Sequence, residues 1–107
     1  MSYRVQLTAT AKQDLREIAF YIASQAKDKD VARNFVNELR EQCARLSDFP
    51  QAGAFPKDHT LRSLEYRFIT HKEYLIFYTI DEAAKAVNIL AIFHSRKDYM
   101  RVMRQFI

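Results

Sequence analysis

The chain has 107 residues, a size at which one domain can bury an apolar core without disulfides or metals. Its net charge of +4 permits a nucleic-acid or acidic partner, but long basic blocks are missing. The single cysteine, Cys43, excludes an intramolecular disulfide and lies in an apolar stripe, which predicts a core residue in a reducing compartment. Without a long apolar run or a secretory leader, we expect a cytoplasmic protein with one domain, residues 1–107.

The chain begins with the patterns of a strand and an amphipathic helix. Residues 3–7 alternate apolar and polar side chains, which is typical of a half-buried strand. Thr10 and Gln13 have the spacing of a capping box and Asp14 adds negative charge, so we expect a helix to begin there. Its apolar face consists of Ala11, Leu15, Ile18, Ala19 and Ile22.

A second helix is predicted after a polar turn at residues 24–30. Asp28 or Asp30 can cap it, and its helical period ends at Phe49 and Pro50. Two helices with so short a connection form an antiparallel hairpin, which needs a surface to cover. The apolar residues of the second helix are Ala32, Phe35, Val36, Leu39, Cys43 and Leu46.

The second half of the chain has the patterns of a loop and three strands. Residues 48–60 contain both prolines and the only glycine, which predicts an irregular loop. Strands are expected at residues 61–70, 73–80 and 87–93, joined by short polar connections. The predicted fold is α+β, with an N-terminal strand, a two-helix antiparallel hairpin packed on a mainly antiparallel sheet, and a short C-terminal helix or tail. This last element is predicted from the helical spacing of Tyr99, Val102, Met103 and Phe106.

The chain contains none of the strong catalytic motifs. A glycine-rich phosphate loop, paired cysteines, H-E-x-x-H and G-x-S-x-G are all missing, so we expect no metal or organic cofactor. If the basic and aromatic residues near the strands converge, histidine, arginine and tyrosine could cleave RNA without a metal. They would move protons and stabilise the charged transition state. These residues are Arg62, Arg67, His71, Lys72, His94, Arg96, Lys97 and Tyr99.

The same residues also have ordinary structural explanations. A histidine after a strand is more often a surface residue than a base, and Tyr99 fits an apolar helical stripe. Asp98 is expected to cap the last helix or form a local ion pair, and Asp81 and Glu82 to be turn residues. Charges of both signs on the outer face of the helical hairpin predict a solvated surface.

Five short motifs occur in a characteristic order along the chain. They are A-x-x-D-L-x-x-I-x-x-Y-I, L-x-x-x-P-x-x-G, L-R-x-L, Y-x-I-x-Y and a closing H-x-R-x-D. Together they resemble the RelE/ParE superfamily of toxins from type II toxin–antitoxin modules. The resemblance implies a small domain of this fold that a cognate antitoxin inhibits in a toxin–antitoxin hetero-oligomer. RelE-like members are metal-free endoribonucleases that cut mRNA, often on the ribosome, whereas ParE-like members inhibit DNA gyrase.

The resemblance carries over to the nuclease site only in part. Arg96 falls where RelE-like enzymes have a phosphate-stabilising arginine after the last strand. Val102 is near the position of their tyrosine, Tyr99 lies three residues earlier, and Thr70 is near an expected arginine. The L-R-x-L motif with Arg62 and the closing H-x-R-x-D are closer to the ParE-like branch.

These residues support three hypotheses for function. The favoured one is a toxin that arrests growth by inhibiting DNA gyrase, with Arg62, Arg67, His94, Arg96 and Tyr99 as its functional surface. The second is an mRNA endoribonuclease in which His94 transfers protons, Arg67 and Arg96 stabilise phosphate, and Tyr99 donates a proton or stacks on a base. The third is a degenerate toxin that only binds its antitoxin. The predicted target- or phosphate-binding residues are therefore Arg62, Arg67 and Arg96.

Overall fold

The structure is a computed structural model that describes residues 2–107. Among these residues, none of the helices combines the length and the hydropathy needed to cross a bilayer. The elements, in chain order, are β1 (Arg4–Leu7), α1 (Ala9–Ala26), α2 (Lys29–Arg45), a 3-10 turn (Pro50–Ala52), α3 (His59–Ser63), β2 (Arg67–His71), β3 (Tyr74–Asp81), β4 (Ala86–His94), α4 (Tyr99–Met103) and a final 3-10 turn (Arg104–Phe106).

Four strands form one sheet in the order β1-β4-β3-β2. The pairs β2–β3 and β3–β4 are antiparallel, whereas β1 runs parallel to β4 with Val5 opposite Val87. The register between β3 and β4 shifts after Phe77, which pairs with Ala91, whereas Tyr78 pairs with Ile89. The mainly antiparallel sheet and the α+β fold predicted from the sequence are confirmed.

Both faces of the sheet are covered, and each covered face has its own core. The helical hairpin, α1 and α2, lies on one face, and the short helices α3 and α4 lie on the other. Cys43 is a core residue as predicted, with 2% of its surface exposed. The first core, under the hairpin, consists of Ala11, Leu15, Ile18, Leu39, Cys43, Leu46, Ile76, Tyr78, Val87, Ile89 and Ile92. The second core consists of Leu61, Tyr66, Phe77, Ala91, Phe93 and Met103.

The start of α1 differs from the predicted capping box. The helix begins at Ala9, and Thr8 is its N-cap because the Thr8 Oγ1 accepts a hydrogen bond from the Ala11 N–H at 3.1 Å. The same hydroxyl donates to the Leu90 carbonyl at 2.9 Å, which ties the helix start to β4. The predicted start at Thr10 was therefore wrong, since contact with the sheet decides between two nearby threonines.

The connection between the two long helices is shorter than the predicted turn at residues 24–30. Helix α1 continues to Ala26 and α2 begins at Lys29. Lys27 ends α1 in the left-handed conformation, with φ of 54°. Of the two candidate caps, Asp28 is the N-cap, because its carboxylate accepts from the Asp30 N–H at 2.9 Å.

The strand predicted at residues 61–70 is a helix followed by a strand. Helix α3 covers His59–Ser63, and only Arg67–His71 is extended. Asp58 caps the helix by accepting from the Leu61 N–H at 3.0 Å, and Leu61 is fully buried in the second core. Glu65, with φ of 61°, then redirects the chain into β2. Arg62 therefore lies on a helix and not on a strand.

The loop predicted at residues 48–60 contains a 3-10 turn and is bonded to the sheet through Tyr78. The Tyr78 hydroxyl donates to the Pro50 carbonyl at 2.7 Å and accepts from the Gly53 N–H at 2.8 Å. A Cβ on residue 53 would lie 2.5 Å from this hydroxyl oxygen, so the close approach requires glycine. Ala54 continues the contact by pairing with Phe68 at the free edge of β2.

Candidate functional site

A cleft of about 370 Å³ lies between α1 and the ends of β3 and β4. Ile18 and Ile92 are among its apolar lining residues, and both also belong to the first core. Two of the predicted site residues, His94 and Arg96, line the cleft. Its polar and aromatic lining consists of Asp14, Glu17, Tyr21, Tyr74, Phe93, His94, Arg96 and Lys97.

Asp14 holds α1 against the end of β4. Strand β1 pairs with β4 only as far as Leu7 opposite Ile89, so the next part of β4 has no strand on that side. The Asp14 carboxylate accepts from the Ile92 N–H at 2.9 Å and satisfies this backbone donor. Burial raises the pKa of Asp14, and the hydrogen bond from Ile92 opposes this shift only in part. Asp14 is thus a half-buried structural carboxylate and not a residue of the first helical turn.

His94 uses both of its ring nitrogens in local contacts. Nδ1 accepts from the Arg96 N–H at 3.0 Å, so the hydrogen of the neutral ring is on Nε2. Nε2 lies 3.3 Å from the Glu73 carboxylate, and the ring packs edge-on against Tyr74, with ring centroids 5.3 Å apart. His94 therefore orients the turn that carries Arg96, and in this arrangement it has no free nitrogen to accept a proton.

The charges of the cleft have both signs. Asp14 and Glu17 belong to α1, whereas Arg96 and Lys97 belong to the turn after β4. Lys97 lowers the pKa of Asp14 across the cleft, and Glu17 on the same helix raises it, both as minor contributions beside burial. Arg96 and Lys97 are exposed. A phosphate that approached Arg96 would also meet two carboxylates.

Tyr99 lies on the other face of the sheet from His94. Its ring stacks on Phe77 of the second core, with centroids 5.9 Å apart and planes 22° apart. Its hydroxyl accepts from the Asp58 N–H at 3.1 Å. The structure therefore does not bring Tyr99 together with His94 and Arg96, and its contacts are those of a packing residue. Asp98 caps α4 by accepting from the Met100 N–H at 3.1 Å, as predicted.

Arg67 is also separated from the cleft. It lies at the start of β2, four residues from His71 along the strand, which corresponds to about 13 Å. Its guanidinium donates to the Gly53 carbonyl at 3.0 Å and lies 4.2 Å from the centroid of the Phe55 ring. Arg67 and Tyr78 therefore both bond to the loop at Gly53.

The other predicted basic residues have separate surroundings. Arg62 is exposed on α3, on the same sheet face as Tyr99. His71 Nε2 lies 2.8 Å from the Glu38 carboxylate, and Lys72 Nζ lies 3.2 Å from it. These hydrogen bonds, first from His71 and then from Lys72, lower the pKa of Glu38. His71 and Lys72 therefore join the β2–β3 turn to α2. Within residues 2–107, no group of three or more potential metal-binding side chains is present.

Comparison with known protein families identifies the chain. The family model described as "ParE toxin of type II toxin-antitoxin system, parDE" matches residues 5–99. The chain belongs to the ParE toxin family. This result confirms the resemblance to the RelE/ParE superfamily that the motif order indicates. No curated protein matches the toxin.

Solved structures share the fold of this toxin. The RelBE2 toxin–antitoxin complex of Mycobacterium tuberculosis contains a chain with 22% identity and a TM-score of 0.66, and the match covers 88% of the toxin and 99% of that chain. The chromosomal ParDE system of P. aeruginosa gives 18% identity and a TM-score of 0.72, with 87% and 96% covered. The isolated E. coli RelE toxin gives 11% identity and a TM-score of 0.58, with 99% and 100% covered.

The toxin's cleft includes residues that its sequence motifs do not single out as functional. Tyr21 and Tyr74 line it, and Asp14 supports it through the bond to Ile92. Asp14 and Tyr21 are the polar positions of the first helix motif and lie between its apolar positions. This placement is the feature of the sequence that indicates them. For Tyr74 the strand pattern indicates only a half-buried residue. The functional residues of the toxin remain a prediction. Of those predicted, His94 and Arg96 lie together in the cleft.

Proposed function

We propose that this toxin arrests growth by inhibiting DNA gyrase, without a catalytic step of its own, and that a cognate antitoxin neutralises it in a cytoplasmic hetero-oligomer. The match to the ParE toxin family supports the gyrase target, because the ParE-like branch is the one that inhibits gyrase. The RelBE2 and ParDE structures are toxin–antitoxin systems, which supports the antitoxin partner.

The observation that carries the proposal is the chemistry of the cleft at His94 and Arg96. RNA cleavage without a metal needs a proton acceptor and a proton donor on either side of a phosphate. Here the acceptor nitrogen of His94 is bonded to the Arg96 N–H, and the Tyr99 hydroxyl lies on the other sheet face. Asp14 and Glu17 add negative charge beside the arginine. An apolar floor with charges of both signs at its edge fits a protein surface better than a phosphodiester.

A RelE-like endoribonuclease is the second candidate. The observation that favours it is the presence of His94 and Arg96 in one cleft, where a base and a phosphate-binding cation could act together. To act as a base, His94 would have to release the Arg96 N–H from Nδ1. A degenerate toxin that only binds its antitoxin is the third candidate.

The gyrase proposal is tested with the purified toxin in a gyrase supercoiling reaction. The unmodified toxin should block supercoiling, and Arg96→Ala should raise the concentration needed for half inhibition roughly tenfold or more, as for a central interface arginine. Arg40→Ala is the matched control, because Arg40 is exposed on α2 and outside the cleft. It should inhibit as strongly as the unmodified toxin.

A parallel experiment in cells separates the candidates. Each variant is induced without antitoxin, growth is followed, and RNA ends are mapped. Growth arrest with intact messages supports gyrase inhibition. Arg96-dependent cuts in translated messages, with supercoiling untouched, would overturn it in favour of the endoribonuclease. Normal growth together with normal supercoiling would identify a degenerate toxin.

A further inference from the structure

Two short helical segments lie side by side on the sheet face opposite the helical hairpin. At their starts, the Asp58 N–H donates to the Tyr99 hydroxyl at 3.1 Å. At their ends, the Tyr66 hydroxyl donates to the Phe106 carbonyl at 2.9 Å. The starts of the two segments are hydrogen-bonded to each other, and so are their ends. The two segments therefore run in the same direction. We call residues 57–66 and 96–107 the two-helix layer.

The two-helix layer carries most of the net positive charge of the protein. It contains six cations and three carboxylates, which gives a net charge of +3 out of +4 for the whole chain. Two of the carboxylates, Asp58 and Asp98, are used as helix caps. All six cations are exposed, and they are Lys57, Arg62, Arg96, Lys97, Arg101 and Arg104.

The cations of the layer have no intramolecular ion-pair partners. Among residues 2–107, the basic side chains within 4.0 Å of a carboxylate oxygen are Arg33, His71, Lys72 and His94, all outside the layer. Elsewhere on the toxin, the outer face of the helical hairpin carries charges of both signs. The layer is therefore an electropositive surface whose cations are available to an external anion.

The layer offers few exposed rings on which nucleobases could stack. Tyr66, Tyr99 and Phe106 all pack into or against the second core, whereas His59 is exposed. Single-stranded nucleic acids are held mainly by stacking on exposed aromatic rings, whereas a duplex can be held through its phosphates alone. Four of the six cations are arginines, whose planar guanidinium matches phosphate oxygens. These features favour the backbone of a duplex.

We propose that the two-helix layer binds the phosphate backbone of duplex DNA. The choice of DNA rests on the proposed function, because gyrase acts on duplex DNA. Arg96 and Lys97 also line the cleft, so the layer adjoins the surface proposed to contact gyrase. The carboxylates of the cleft disfavour a phosphate at Arg96, so the DNA contacts are made by the cations of the layer that lie outside the cleft. Arg101 and Arg104 lie one helical turn apart outside the cleft and belong to the DNA-binding part alone.

The experiment measures binding of the full chain to a fluorescent duplex of about 20 base pairs at several salt concentrations, by anisotropy. Backbone binding at near-physiological salt should give a dissociation constant of about 10⁻⁴ to 10⁻⁶ M that rises steeply with salt. The double variant Arg101→Gln/Arg104→Gln should lower the slope of log affinity against log salt by about 2. Arg62→Gln, on the other helix of the layer, should lower it by about 1.

The matched control is Arg33→Gln/Arg40→Gln, which removes the same charge from exposed positions on α2. Its slope should equal that of the unmodified toxin. Thermal unfolding of every variant is measured first, and Arg62→Gln carries the test if the Arg101→Gln/Arg104→Gln protein is not folded. An equal loss in the control would show a general effect of net charge and overturn the proposal. Tighter binding to single-stranded RNA of the same length would overturn it as well.

The same samples separate this inference from the gyrase proposal. Duplex binding that depends on Arg101 and Arg104, without inhibition of supercoiling, supports the DNA-binding layer and refutes the gyrase target. Inhibition of supercoiling without any duplex binding by the toxin refutes the layer and leaves the gyrase proposal intact.

Discussion

Replacing Tyr78 by phenylalanine should destabilise the toxin, because a single hydroxyl bonds residues 50–53 to the sheet. Tyr78 is fully buried, at 0% exposure. Its hydroxyl donates to the Pro50 carbonyl at 2.7 Å and accepts from the Gly53 N–H at 2.8 Å. Phenylalanine keeps the ring and its packing in the first core, so the substitution removes only these two hydrogen bonds.

The expected loss follows from what remains after the hydroxyl is removed. The Gly53 N–H, which belongs to a buried residue, has no partner in Tyr78→Phe, and the Pro50 carbonyl loses its donor. An unsatisfied buried group costs about 1–3 kcal/mol of unfolding free energy. Water that reaches the partly exposed Pro50 compensates part of the second loss, so about 1–3 kcal/mol is expected in total. For a domain of this size each kcal/mol lowers the Tm by roughly 4–8 °C.

Urea unfolding followed by circular dichroism measures this change, since the chain contains no tryptophan. Tyr21→Phe is the matched control, because Tyr21 is 57% exposed and its substitution should change the unfolding free energy by less than about 0.5 kcal/mol. If Tyr78→Phe were as stable as this control, the hydroxyl would not hold the loop, and the reasoning would be refuted.

Three further predictions concern titratable groups. Burial raises the pKa of Asp14 above its usual 3.8, so the free energy of unfolding should fall as the pH rises from about that value through the folded-state pKa. In urea unfolding, Asp14→Asn should remove this pH-dependent fall, because its amide oxygen can still accept from the Ile92 N–H. Asp14→Ala should lower the free energy of unfolding by about 1–3 kcal/mol. Burial raises the pKa of Cys43 to about 11, so the native thiol should react with Ellman's reagent far more slowly than the unfolded one. NMR titration of Glu38 should show its lowered pKa rising towards 4.5 in His71→Ala, since the His71 hydrogen bond is the largest cause of the shift; an unchanged value would contradict that cause.

Periodicity in the sequence predicts the elements that bury a regular stripe. Leu15 and Leu39 recur with their neighbours at helical spacing, and both are buried in the first core. The strands around Phe77 and Ile92 are likewise found from apolar runs, because each is covered on both faces. These patterns are local, so the helical hairpin, three of the four strands and their approximate ends follow from them.

Element boundaries and the composition of the site depend on contacts between distant residues. Local spacing favours Thr10 as the cap, because Gln13 follows three residues later, whereas the hydrogen bond from Thr8 to the distant Leu90 carbonyl places the helix start at Thr8. The helical spacing of Tyr99 indicates a packed residue but does not say which sheet face it covers. The apolar pattern of residues 61–70 predicts a strand at Arg62, whereas the Asp58 cap begins a helix there.

The parallel pairing of β1 with β4 has a consequence for how the toxin folds. Gln6 and Asn88 are 82 positions apart and face each other across this pair. Closing so long a loop is slow, whereas the α1–α2 hairpin depends on contacts between near neighbours in sequence. During synthesis the hairpin can form early, but the apolar side that it presents to β4 has no cover until that strand is made. The newly made chain is therefore open to misassembly from the completion of α2 at Arg45 until β4 is complete at His94.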